Sequence, residues 1–179
     1  MSNRVLFASS AVFLVLFLGV GGYVLRADPS SSSHAEMADK YGREYGVDPA
    51  LVNAVIQAES SGRPGALSHA GARGLMQLMP KTASEMAQRL DLPPLTKQDL
   101  FNPDLNIRLG TYYLHLLGEE FDHVPELVLA AYNAGPGSVR RWMGAHPRLS
   151  PSRLLRTAAY PETRAYVRKV MDTWKCPEE

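Results

Sequence analysis

The chain has 179 residues, 45% hydrophobic and 21% charged, which suits one globular domain with a short appendage and excludes a disordered, collagen-like or coiled-coil chain. A single cysteine, Cys176, excludes an intrachain disulfide framework and a cysteine-built zinc site. The formal net charge of +1 conceals an asymmetry: residues 36–139 hold 8 basic and 13 acidic side chains, residues 140–175 hold 9 basic and 2 acidic.

Residues 5–25 contain no charged side chain. At about 1.5 Å per helical residue they reach roughly 31 Å, enough for a bilayer core, so residues 1–26 are expected to form a transmembrane signal-anchor. The alternative is a cleaved signal, but the nearest small-x-small site, Ser33-His34-Ala35, comes late for one. Arg4 and the amino terminus charge the leading flank, while Asp28 offsets Arg26. That bias places the remainder of the chain outside the cytoplasm, at the membrane if the anchor stays and in the periplasm if it is cleaved. Residues 27–35, ADPSSSSHA, have the composition of a flexible linker. The folded domain is expected over 36–175, with 176–179 as a tail.

From Glu36 onward the apolar spacing is helical, as in Leu51, Val55 and Glu59, or Leu109, Tyr113, Leu116 and Leu117. Strand alternation is nowhere sustained, so the fold class is mainly α. Pro49, Pro80, Pro103, Pro125, Pro136, Pro151 and Pro161 stand where helices begin, a position that tolerates the missing N–H and the fixed φ. Asp48 and Asn102 precede two of them as N-caps. Helices are expected near 36–45, 49–60, 74–90, 103–121, 125–134, 136–143 and 161–175, with a short one at 151–156.

Glu59 lies four residues after Val55, so its carboxylate points with an apolar stripe. Desolvation there raises a carboxyl pKa toward the value a general acid needs near neutral pH. Periodicity alone favours a surface residue or the partner of an arginine. After Glu59 a glycine-rich run through Gly62, Gly65, Gly71 and Gly74 leads into Leu75-Met76-Gln77, and further on Ala131-Tyr132-Asn133-Ala134-Gly135 places a phenol and an amide at a tight corner. The five histidines, His34, His69, His115, His123 and His146, lack metal-ligand spacing, so no metal and no cofactor are expected.

Taken in order, Glu59-Ser60, Ser68, Gly74-Leu75-Met76-Gln77-Leu78-Met79-Pro80, Gly110-Thr111-Tyr112-Tyr113-Leu114, residues 131–135 and Glu162-Thr163-Arg164-Ala165-Tyr166-Val167 resemble the lytic transglycosylase domain of the soluble lytic transglycosylase type. The resemblance implies a single lysozyme-like domain, of the kind shared with goose-type lysozymes, that acts on peptidoglycan. It implies Glu59 as the sole catalytic acid and base, with Tyr132 hydrogen-bonded to its carboxyl and Ser68 donating to the carboxyl or to the substrate's acetamido group. Met76, Gln77 and Tyr113 would line sugar subsites, Glu162 and Tyr166 would contact the peptide stem or outer sugars, and Asn133 would mainly hold the corner together. Two segments depart from the usual pattern: Gly62-Arg63-Pro64 follows the glutamate in place of Phe-Asn-Pro, and Ala158-Ala159-Tyr160-Pro161 replaces the Ile-Pro-Phe leader.

The activity so implied is lytic cleavage of the β-1,4 bond between N-acetylmuramic acid and N-acetylglucosamine with a 1,6-anhydromuramoyl product. The alternatives are hydrolysis of the same bond and, in another class, a module that clasps glycan without cutting it. Expected partners are peptidoglycan strands, the cytoplasmic membrane through the N-terminal helix, and an envelope-spanning secretion or conjugation machine. Nucleic acid is not expected, since the basic stretch 140–175 reads as a solvated face turned to an anionic wall.

Overall fold

A computed structural model describes residues 29–175. The expected transmembrane helix over 1–26 and the tail 176–179 lie outside the described residues, and no helix within them is long and apolar enough to cross a membrane. The described chain forms α1 (Pro29–Tyr45), α2 (Pro49–Ser60), α3 (Pro80–Arg89), α4 (Pro103–Glu120), α5 (Pro125–Ala134), α6 (Pro136–Ala145), α7 (Pro151–Ala158) and α8 (Pro161–Lys175), with one 3₁₀ turn at Asp99–Phe101. No strand forms among the described residues; the extended pairing consists of isolated bridges from Arg73 to Leu67 and to Leu78.

Each proline assigned to a helix start is the first residue of a helix. Asp48 accepts from the Ala50 N–H at 2.8 Å and Asn102 from the Leu105 N–H at 3.1 Å, so both N-caps satisfy a donor that the first turn leaves unpaired.

Two stretches differ from expectation. Residues 29–35 are not a linker: α1 begins at Pro29 and continues without a break into the segment that packs on α2 and α4. Packing of Ala38 and Tyr41, both buried, seeds that helix, and the serines upstream extend it at little cost because proline occupies its first position. Residues 74–79 are not helical either. Gly74 and Gln77 have φ of 78° and 47°, and Arg73 exchanges backbone hydrogen bonds with Leu78 at 3.0 Å each way. The helix waits for Pro80, which also biases Met79 to its extended conformation (φ −68°, ψ 138°).

The main core surrounds α2, whose Val52 and Val55 are fully buried. At about 1.5–3 kcal/mol per fully buried aliphatic side chain, this stripe fixes the rotation of α2, and with it the direction of Glu59. The flanking helices α1 and α8 pack against α2, α5 packs against α8, and α4 joins α1 to α5. A second cluster, including Leu78, Met86, Leu100 and Leu109, joins α3 to α4.

Candidate active site

α2 ends at Ser61, which adopts the left-handed conformation (φ 54°, ψ 40°) and donates its N–H to the Gln57 carbonyl at 3.2 Å. This cap turns the chain away immediately after the core stripe. The residue left in the last turn is Glu59, half-buried. Burial pushes its pKa up from 4.5 to about 7, against the opposing effects of the Tyr166 hydroxyl and the Lys169 ammonium. Near neutral pH the carboxyl therefore populates both its acid and its base forms.

Tyr166 and Lys169 come from α8, one turn apart on the face that packs on α2. The buried Tyr166 hydroxyl has no partner at regular hydrogen-bond geometry, yet it stands near enough to Glu59 to hold the carboxyl down as a donor. Burial and the Glu59 charge raise its own pKa well above 10. The phenol therefore remains protonated beside the acid.

Tyr132 occupies a different place from the one expected. It is close enough for the Glu59 charge to act on it, but its hydroxyl donates to the Met76 carbonyl at 2.8 Å rather than to the carboxyl. A phenol has one proton to donate, so the hydrogen bond expected from Tyr132 to Glu59 is not made, and the phenol that acts on the carboxyl is that of Tyr166. Tyr113 is half-buried against Tyr132, their ring centroids 5.4 Å apart. Burial, with Glu120 and Glu85, pushes its hydroxyl pKa to about 12.

Met76 is fully buried and presents no thioether to a ligand, contrary to the expected subsite role. Its side chain fills the space above Gly110, where any Cβ would overlap it; the backbone carbonyl is the part that reaches the site. Gln77 is partly exposed, but its side-chain amide donates to the Ala66 and Gly74 carbonyls at 3.1 and 2.9 Å. It braces the loop. Ser68 Oγ accepts from the Ala72 N–H at 2.9 Å, which fixes the hydroxyl while leaving its proton available. Asn133 Oδ1 accepts from Thr163 Oγ1 at 2.8 Å, tying the end of α5 to α8. Glu162 is exposed on the first turn of α8.

Asn106 was not singled out from the sequence, although it holds the site together. Fully buried on α4, it accepts from the Met76 N–H at 2.8 Å and donates to the Arg73 and Leu100 carbonyls at 3.0 and 2.8 Å. Gly74 passes so close that a Cβ would overlap the Leu100 carbonyl and the Asn106 amide, so this loop conformation requires glycine. The available signal was a polar residue on the buried stripe of α4, one turn before Leu109 and Gly110. Lys169, a surface lysine by pattern, was likewise unmarked.

The sequence matches the family described as "Transglycosylase SLT domain" over residues 36–154. The chain belongs to this family. Among transglycosylases it is 33% identical to the soluble lytic murein transglycosylase of Salmonella typhimurium across 78% of this chain and 22% of that one. It is 34% identical to the membrane-bound lytic murein transglycosylase C of Actinobacillus succinogenes across 70% of this chain and 40% of that one. A solved structure of an inactive glutamate-to-glutamine mutant of the lytic transglycosylase Slt from Pseudomonas aeruginosa superposes with a TM-score of 0.74 at 36% identity, covering 79% of this chain and 23% of that one. The chain thus spans about a fifth of the length of the soluble curated relatives it matches. The helices α1 to α8 form the lysozyme-like transglycosylase fold, and α8, which carries Tyr166 and Lys169, lies beyond residues 36–154 that match the family.

Proposed function

We propose that the chain is a peptidoglycan lytic transglycosylase that cuts the β-1,4 bond between N-acetylmuramic acid and N-acetylglucosamine. The observation that carries this reading is Glu59: one half-buried carboxyl poised near pH 7, with no second carboxyl among the described groups that act on it. Ordinary glycosidases flank the scissile bond with two carboxylates. One suffices if the substrate supplies the nucleophile. Protonated Glu59 gives its proton to the leaving O4 of N-acetylglucosamine as the C1–O4 bond breaks. The muramoyl acetamido oxygen relieves the charge at C1. The C6 hydroxyl oxygen then bonds to C1 and returns its proton to the Glu59 carboxylate, so no water is consumed and the enzyme is restored.

Tyr166 stabilises the carboxylate formed between the two transfers, since its effect on Glu59 favours the ionised form. Ser68 serves the carboxyl or the acetamido group with its available proton. Gln77 and Tyr113 shape the rim, and Glu162 faces outer sugars or the peptide stem. The same reading places the domain outside the cytoplasm, at the membrane through residues 1–26 or free in the periplasm after cleavage. There it trims strands locally or opens a passage for an envelope-spanning secretion or conjugation machine. A relative whose name includes "membrane-bound" supports the first location.

Mass spectrometry of products released from purified murein sacculi tests the chemistry. Muropeptides lighter by one water than lysozyme products and lacking a reducing end are expected; free reducing ends would reassign the chain as a hydrolase.

A further inference from the structure

The carboxyl-terminal end of α2 is tied down by two cations, both from later in the sequence. The Lys169 ammonium of α8 donates to the Ala58 carbonyl at 3.0 Å, and the Arg63 guanidinium, from the loop after α2, donates through Nε to the Ser60 carbonyl at 2.9 Å. With the Ser61 N–H on Gln57, three of the four carbonyls left unpaired by the last turn are satisfied. Cations are favoured at this end of a helix. Here the two carbonyls that they hold, those of Ala58 and Ser60, flank Glu59 in sequence.

We infer that Lys169 is a positioning residue for the acid: by bonding the Ala58 carbonyl it pins the last turn of α2 to α8, keeps Glu59 opposite Tyr166, and sets a fixed positive charge beside the carboxyl. The inference rests on the transglycosylase reading for its meaning in catalysis, but not for its test. Among the described residues, the titratable groups acting on the Glu59 carboxyl are Tyr166 and Lys169 from α8, with Tyr132 facing it from α5. Arg63 reaches the backbone of the same turn and not the carboxyl. The two cations thus share a mechanical role, and only Lys169 has an electrostatic one.

A carbon-detected NMR titration of Glu59 in the full chain, with its resonance assigned by its loss in Glu59→Gln, separates these roles without any need for activity. In Lys169→Met the midpoint rises by roughly half a pH unit or more, because an opposing cation has been removed. Lys169→Arg restores it, and Arg63→Met leaves it at the wild-type value. In the wild type, raising salt from about 0.05 M to about 0.5 M moves the midpoint upward, since the Lys169 side chain is exposed and its charge is screened. The salt series also decides the matter should Lys169→Met fail to fold. An unmoved midpoint in Lys169→Met and in the salt series, or an equal rise in Arg63→Met, overturns the inference. On sacculi, the alkaline limb of the kcat/KM profile of Lys169→Met moves to higher pH in step with the midpoint. If the wild type releases no anhydro product, the functional reading falls while the titration still stands.

Discussion

The two ends of α2 each carry a carboxylate, and the two are treated in opposite ways. At the amino-terminal end Asp48 is exposed and both of its oxygens are used, one accepting from the Ala50 N–H at 2.8 Å and the other from the Trp174 indole at 2.7 Å. At the other end Glu59 is half-buried, and its described partners are a phenol outside regular hydrogen-bond geometry and a nearby ammonium. Asp48 is a structural group, satisfied and solvated. Glu59 is kept short of partners, which makes its proton transferable near pH 7 and its charge costly to the fold. One helix therefore separates a carboxylate that stabilises from one left to titrate near neutral pH.

Breaking the reactive end should have the largest effect. Glu59→Gln keeps the shape and removes the proton, so activity on sacculi falls on the order of 100-fold or more, measured by release of soluble muropeptides. The same variant sharpens the contrast through stability. Because the folded pKa is raised, to about 7 from 4.5, native stability is lost as pH rises from the unfolded value through the folded one, and the loss is complete above it. Glu59→Gln is accordingly more stable than wild type by up to about 3 kcal/mol at pH 8 and nearly equal to it at pH 4. Denaturant titrations at the two pH values read this directly; equal differences would mean that burial does not burden Glu59.

Next in size, Tyr166→Phe removes the donor that favours the carboxylate. The Glu59 midpoint moves above about 7, and kcat falls roughly 10-fold, the scale of one hydrogen bond to a charged group. Tyr132→Phe, whose lost bond is to the Met76 carbonyl, should leave that midpoint in place; a larger shift there than in Tyr166→Phe would reverse the assignment of the two tyrosines. The smallest effect on catalysis belongs to the structural end. Asp48→Ala loses a cap and the indole contact, costing about 1–2 kcal/mol of stability by thermal denaturation while activity below the melting range stays within about two-fold of wild type.

The helices were legible where covalent constraint acts locally. A proline sets φ whatever surrounds it, so Pro49, Pro103 and Pro161 announced their helices without any tertiary information. Glu59 was only partly legible from periodicity, since a carboxylate four residues after Val55 can share the face of a core residue; the ordered motifs around it singled it out. Met76 and the stretch 74–79 were not legible, because their conformation is imposed from outside the segment: Asn106 takes the Met76 N–H, and Gly110 leaves the room its side chain fills. That the phenol acting on the carboxyl is Tyr166 rather than Tyr132 has the same origin. Each is close enough for the Glu59 charge to act on it, and only the three-dimensional position of the Met76 carbonyl decides which hydroxyl is already committed. Residues 29–35 escape a reading by composition because a serine-rich stretch reports local preference, whereas a helix continuing from a packed segment is extended by cooperativity.

The groups that tune Glu59 belong to α8, the last helix of the described chain, while Glu59 itself sits in the second. A ribosome makes Tyr166 and Lys169 more than a hundred residues after Glu59, so during synthesis the glutamate exists for a time as an ordinary, solvated side chain. The carboxyl is thus made before the groups that tune it. It comes under the influence of the Tyr166 phenol and the Lys169 ammonium only when α8 docks on α2, so a product cut short before α8 would carry the glutamate without either group.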